Sequence, residues 1–313
     1  MQLGLTDSYL KQLFGPFVTI GVLDSGIALH PDLEGALLCF RDFPGRAGKD
    51  GTRNLSRTPY DDYGHGTHVC GILAGSGRLS DKKFQGIFPG TGLVVGKVLD
   101  ENGDGSTQEM LDGLQWILSV REKYDIRLLN ISVGISELND SRKERQLKEM
   151  LEKITAEGIL VVCAAGNRGP ASGSLSMLGE SEKVISVGCH DGSFYRWAPD
   201  RCENYSGCGK LFGVPRKPDV VAPGTRIVSC SGQWRRGMPW NTAYQTRSGT
   251  SMAASIVTGC LARALQRNPG LDPRQLRQIL LRSSRNLGEA WNKQGWGMVQ
   301  PRELIRMAGT AAE

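Results

Sequence analysis

No run of apolar residues in this chain approaches the twenty or so that a membrane-spanning helix needs, so none is expected. No charged, apolar and small-residue sequence of the secretory kind precedes the first strand-like run. There is also no room for a long N-terminal pro-domain, and these two readings together lead us to expect a bacterial cytoplasmic location. No proline-rich linker, charge block or internal repeat divides the 313 residues, so one domain is the simplest organisation. The net charge of +6 is small for this length and comes without a nucleic-acid motif, which leaves at most modest steering of acidic peptides. Gly90-Thr91-Gly92-Leu93-Val94-Val95-Gly96 misses dinucleotide spacing by one residue and enters a strand instead of leaving one.

Eight cysteines are scattered, and Cys70, Cys163 and Cys260 sit in apolar elements, which suits free buried thiols better than a disulfide framework. Cys202 and Cys208 lie near His190 without a recognised zinc spacing. A calcium site finds little support. The loop over 75–86 offers Asp81 and the only other candidate is Asp32, whereas the ion wants six to eight oxygens. No metal and no cofactor is expected.

What the chain does have is 41 glycines and ordinary hydrophobic content, 39%, which fit an α/β fold with tight turns and close helix packing. Three separated segments carry chemistry. Val18-Thr19-Ile20-Gly21-Val22-Leu23 reads as a buried parallel strand, and Asp24-Ser25-Gly26 ends it where open α/β sheets place their sites. In Asp61-Asp62-Tyr63-Gly64-His65-Gly66-Thr67-His68, a histidine flanked by glycines opens a helix of small residues. His65 is the candidate base, and His68, one turn on, reads as a packed structural histidine. Ser248-Gly249-Thr250-Ser251-Met252-Ala253-Ala254 sets a serine at the start of a helix expected over 253–265. Free N–H groups and the helix dipole there favour the negative charge that develops beside an acyl-transfer nucleophile. Each residue also has an ordinary use: serine caps helices and aspartate opens turns. The three together, in the order Asp24, His65, Ser251, are what sets catalysis apart from those uses.

With these motifs the sequence resembles the subtilisin-like (S8) serine peptidases over about residues 18–304, most closely their intracellular AprX-like branch. The resemblance implies an α/β three-layer fold with a mainly parallel central sheet flanked by helices. It also implies an arm over 1–17, a single catalytic domain over 18–304 and a tail over 305–313. Ser251 would attack the scissile carbonyl, His65 would relay the proton and Asp24 would hold the imidazole tautomer. Val161-Val162-Cys163-Ala164-Ala165-Gly166-Asn167 matches the family's oxyanion segment, with Asn167 as side-chain donor. Asn167 could equally be a turn residue. Losing the matching donor in subtilisin costs about 10²–10³ in kcat.

Gly103, Asp104 and Gly105 match one edge that pairs with an extended peptide, and Ser132, Val133 and Gly134 match the other. Ala165 and Gly166 line the pocket, and Arg168 beside Asn167 could favour an acidic P1 side chain or simply be solvated. Three features depart from the family. Ser255 and Ile256 stand where a proline and often a histidine are usual, Ser176-Met177-Leu178-Gly179 lacks a common proline, and Trp234 to Trp240 mixes cations and indoles in an unusual loop. The expected partner is a peptide or protein in extended form, with no nucleic acid and no membrane. Three functions fit: a general endopeptidase, a processing peptidase for one precursor, and a pseudoprotease that binds peptides without cutting them.

Away from these motifs, apolar spacing of three and four over 147–154 predicts an amphipathic helix. Asp272 followed by Pro273 predicts a helix start over 272–283.

Overall fold

Helices cover both faces of a strand sheet whose backbone bonds are shared with like-directed neighbours, the arrangement that continuous Val/Ile/Leu runs call for. The computed structural model describes residues 18–43, 46–47, 53–54, 58–133, 141–192, 199–212 and 216–310. The strands of the sheet are β1 (Thr19–Asp24), β2 (Leu37–Asp42), β5 (Gly92–Lys97), β6 (Ile126–Ile131), β7 (Leu160–Ala164), β8 (Val184–Cys189) and β9 (Val220–Ala222). A two-residue ladder, β3 (Arg46–Ala47) with β4 (Arg53–Asn54), follows β2, and a hairpin of β10 (Ile227–Cys230) and β11 (Tyr244–Arg247) follows β9. The sheet runs β2-β5-β1-β6-β7-β8-β9 with every neighbouring pair parallel. The chain jumps from β5 across β1 to β6, so the strand order reverses beside β1, where α/β sheets hold ligands at their carboxyl ends.

Alternation along each strand feeds two apolar layers. Ile20, Val22, Leu128, Val162, Ala164, Ile185 and Val187 join one core with helices α1 (His65–Ala74), α4 (Thr250–Arg267), α5 (Pro273–Ser283) and α7 (Pro301–Thr310), the last preceded by the short α6 (Trp291–Gln294). Leu23, Val94, Leu129, Ile131, Val161 and Cys163 join the other with α2 (Thr107–Tyr124) and α3 (Ser141–Ala156). Each buried Val, Leu or Ile contributes about 1.5–3 kcal/mol. This is the α/β architecture expected from the sequence.

The helix ends follow local chemistry. Asp272 accepts from Gln275 N at 2.8 Å while the Gln275 side chain accepts from Asp272 N at 2.9 Å, with Pro273 at the first position. The amphipathic 147–154 stretch lies inside α3, with Leu147, Leu151 and Ile154 buried. Helix α4 starts at Thr250, three residues before the expected 253, so Ser251 lies inside its first turn. Where a proline is usual, Ser255 donates to Ser251 O at 2.8 Å, a back-bond that occupies an already paired carbonyl. Helix α7 continues past residue 304 to Thr310 with Ala308 fully buried, so residues 305–310 pack with the domain. The arm over 1–17 and residues 311–313 lie outside the described residues.

The cysteines depart from expectation at one pair. Cys189, at the end of β8, is disulfide-bonded to Cys202, with Cα atoms 5.7 Å apart across 13 residues. The other six are free, including the expected Cys70, Cys163 and Cys260. The pairing is a product of how the loop after β8 folds back, which neither residue signals locally.

Candidate active site

Three loops converge at the carboxyl edge of the sheet beside the strand-order reversal. Asp24 closes β1 and is fully buried, and its Oδ1 accepts from His65 Nδ1 at 2.7 Å and from Ser25 N at 2.7 Å. A carboxylate can only accept, so Nδ1 carries the proton and Nε2 is left as the basic nitrogen. The imidazole stays partly open to solvent. Ser251 lines the same cavity of about 360 Å³ as His65, Ser132, Val133, Asn167 and Gly103. Its hydroxyl donates to Ser132 O at 2.7 Å, and no bond to His65 is formed.

The turn that presents His65 is held by groups the motifs did not single out. Asp61 Oδ1 accepts from Gly64 N at 2.7 Å and Ser25 Oγ at 2.9 Å, and its Oδ2 accepts from Thr67 N at 2.8 Å and Thr67 Oγ1 at 2.6 Å. A carboxylate thereby satisfies orphan donors at the N-terminus of α1, whose own N-cap, Gly64, has no side chain to offer. Ser25 Oγ accepts in turn from Gly66 N at 2.8 Å. Gly66 has no alternative here, because a Cβ would sit 2.2 Å from Gly26 O. An acid ahead of a helix start was the available clue to Asp61.

Below this turn, Lys97 is buried with its ammonium bonded to Ser25 O at 3.0 Å, Asp62 Oδ1 at 2.7 Å and Leu99 O. His68, one turn into α1, is buried and its Nε2–H faces Ile227 O at 3.0 Å and Gln245 O at 3.2 Å. Burial, with the nearby His65 second, pushes its pKa down to about 3, so it stays neutral. It is the packed histidine expected.

Asn167 follows β7. Its Oδ1 accepts from Thr250 N and Thr250 Oγ1, both at 3.0 Å, which fixes the amide orientation and leaves Nδ2 as the outward donor. Gly249, at φ 146°, makes room, since a Cβ there would lie 3.2 Å from Asn167 Nδ2. Behind it, Ala165 is buried with its carbonyl accepting from Ser176 N at 2.7 Å, and Gly166 N donates to Thr250 Oγ1 at 3.2 Å.

The remaining expected residues divide. Gly103, Ser132 and Val133 line the cavity, while Asp104, Gly105, Ala165, Gly166 and Arg168 are not among its lining residues. The 103–105 loop is closed on Asp100, whose Oδ1 accepts from Asn102 N at 2.9 Å and Asp104 N at 3.0 Å. Arg168 is exposed. Gly134 lies outside the described residues. Tyr63, Leu99, Arg247, Ser248 and Met252 complete the lining and were not foreseen.

Most of the residues named as metal candidates have other partners, although Asp32 also lies within 4.8 Å of ligand atoms on His30 and Cys230. Asp32 accepts from Leu79 N at 3.0 Å and from Tyr244 OH at 2.6 Å, and Asp81 is exposed, so this pair does not fit a calcium. Cys202 is taken by Cys189, Cys208 Sγ donates to Ser206 O at 3.4 Å, and His190 Nδ1 accepts from Gly192 N at 2.9 Å. No described helix is long and apolar enough to cross a membrane.

A fully buried acid gripping an imidazole, beside a serine at a helix N-terminus in a parallel α/β sheet, is the layout of one class of serine hydrolases. The Subtilase family model matches residues 15–297. The chain is 35% identical over 281 residues to "Serine protease AprX" of Bacillus subtilis, covering 86% of this chain and 62% of AprX. It is 31% identical over 261 residues to the "Major intracellular serine protease" of the same organism, covering 82% of this chain and 70% of the relative. "Subtilisin Savinase" of Lederbergia lenta is 30% identical over 299 residues, with 95% and 93% covered. Among solved structures, "Sphericase" superposes with a TM-score of 0.69 at 28% identity, covering 86% of this chain and 84% of that one. The chain belongs to the subtilase family.

Proposed function

We propose that this chain is a serine endopeptidase that cleaves extended peptides through an acyl-enzyme on Ser251. Substrate backbone pairs with Ser132 and Val133 on one edge and with Gly103 to Gly105 on the other. A substrate N–H bonded to Ser132 O displaces the Ser251 hydroxyl from that carbonyl, and rotation about χ1 turns Oγ toward His65 Nε2. Hydroxyl–base bonds of this kind commonly tighten only when substrate is bound. His65 takes the proton as Oγ attacks and returns it to the leaving amine, while buried Asp24 stabilises the imidazolium. The Ser251 N–H and Asn167 Nδ2 receive the oxyanion.

The observation that carries this reading is the 2.7 Å bond from His65 Nδ1 to fully buried Asp24, formed in the cavity that Ser251 also lines. Fluorophosphonate labelling of the wild type and Ser251→Ala, with mass mapping, tests it. A label on Ser251, lost in the variant, supports the peptidase. Equal labelling of both moves the nucleophile elsewhere, and no labelling of either leaves a peptide-binding pseudoprotease.

Two finer points belong to this reading. Arg168, exposed beside Asn167, adds a mild preference for acidic P1 side chains, limited because solvated ion pairs are worth about 0.2–1 kcal/mol. On location, the name of the intracellular relative supports a cytoplasmic place, whereas the Cys189–Cys202 disulfide is the chemistry of oxidising compartments. The redox state of that pair in protein drawn from its own host decides between them.

A further inference from the structure

We propose that Arg247 is a specificity determinant, seating a substrate carboxylate on the leaving-group side of the scissile bond. The inference rests on the peptidase reading and adds to it.

Arg247 ends β11, four residues before Ser251, and lines the same cavity as Ser251 and His65. Its position is fixed by the turn ahead of the imidazole. Nη2 donates to Tyr63 O at 3.3 Å, the guanidinium lies 5.5 Å from the Tyr63 ring centroid, and Nη2 would be 3.5 Å from a Cβ on Gly64. The same turn is braced from β11 by Gln245, which donates to Gly64 O at 3.1 Å. A guanidinium held this way is preorganised, so little entropy remains to be lost when it meets a ligand.

Its charge is unbalanced. Arg78, Arg226, Arg277 and Arg306 each pair with a carboxylate, while Arg247 has none within ion-pair distance among the described residues. Its Nε is buried without a partner. Five N–H donors and one bond, to a backbone carbonyl, leave unused capacity at the cleft wall. A partly desolvated cation without a counter-ion is costly, and a carboxylate from the substrate would relieve that cost with a charge-assisted, bidentate geometry.

The side of the bond follows from neighbours. The acyl-side elements touch the nucleophile helix elsewhere: Ser132 through Ser251 and Asn167 through Thr250. Arg247 instead bonds Tyr63 O and lies against Gly64, directly ahead of the imidazole that must protonate the departing amine. The leaving peptide passes that wall. Arg168 is a different cation in a different setting, exposed and absent from the cavity lining.

The test uses peptides identical except for Glu, Gln or Lys at the first or second residue after the cleaved bond, with matched substitutions on the acyl side as controls. The readout is the Glu-to-Lys ratio of kcat/KM within each protein, which cancels any general loss of activity. The wild type is expected to favour Glu over Lys by roughly tenfold or more at one of the two leaving-side positions. Arg247→Gln brings that ratio near one, Arg247→Glu inverts it, and Arg247→Lys keeps its sign. A wild-type ratio at or below one overturns the proposal. So does one ratio shared by all four proteins, the result if Arg247 merely pins Tyr63, or a change confined to acyl-side positions. A wild type that cleaves nothing and takes no fluorophosphonate label sinks the peptidase reading and this proposal together. A labelled, cleaving wild type with a flat ratio sinks this proposal alone.

Discussion

The floor of the cleft and its rim are built in opposite ways. On the floor, Asp24, Ser25, Asp61 and Thr67 are buried and share a continuous set of hydrogen bonds that ends at the helix bearing His65. On the rim, Arg168 is exposed beside Asn167, and Arg247, half-buried in the cavity lining, keeps an unpartnered Nε. A buried network over-determines the geometry of each member, which is what proton transfer requires. Rim side chains are less constrained by the fold, which suits them to the selection among substrates proposed for Arg168 and Arg247.

Substitutions that separate floor from rim sharpen this contrast. The largest effect after loss of the nucleophile is expected for Asn167→Ala: kcat falls about 10²–10³-fold with KM little changed, because the donor acts on charge that exists only in the transition state. Steady-state kinetics on one good peptide checks it, and an equal rise in KM would count against the assigned role. Next comes Asp61→Ala, which strips partners from Gly64 N, Thr67 N and the Ser25 hydroxyl. Unfolding free energy is expected to drop by about 1–3 kcal/mol, with kcat reduced as His65 loosens. Urea titration reads the first and turnover the second. An unchanged urea midpoint would mean that water replaces the carboxylate.

A smaller effect comes from protons. His68 binds one at pH 6.5 when unfolded but only near pH 3 when folded. The unfolded state therefore holds the extra proton between those values. Stability from this group is complete above about pH 6.5 and declines as pH falls toward 3, by at most about 1.4 kcal/mol per pH unit. His30, lowered chiefly by burial, adds in the same direction. Urea midpoints at pH 7 and pH 5 should show the loss, and His68→Gln should show a shallower one. Equal slopes in both proteins would contradict the assignment. Smallest is Arg168→Gln, expected to cut the Glu-over-Gln preference at P1 by about two- to fivefold. A panel differing only at P1 measures it, and a greater change would move Arg168 from rim to pocket wall.

What the sequence made legible follows the same division. Asp24, His65, Ser251 and Asn167 were readable because each lies in a short motif whose glycines and flanking apolar run dictate a strand end or helix start. The parallel sheet was readable from runs such as Val161-Val162-Cys163. Asp61 lay within the histidine motif and three of its four hydrogen bonds are local to it, but the fourth depends on where Ser25 arrives from β1. The Cys189–Cys202 bond and the place of Arg247 depend on loops and on a hairpin packed against another turn, and no local pattern encodes either. Interactions across long sequence separations, such as 184 residues from Arg247 to Tyr63, become visible only in three dimensions.

Whether the acid, base and nucleophile act as one device is settled most directly by kcat for His65→Ala, Ser251→Ala and the double variant on a single substrate. Groups that work as a unit lose their function together, so each single variant is expected to fall to about the same floor, with the double variant no lower. Losses that multiply, or a His65→Ala enzyme that turns over at the wild-type rate, would contradict a shared proton path between His65 and Ser251.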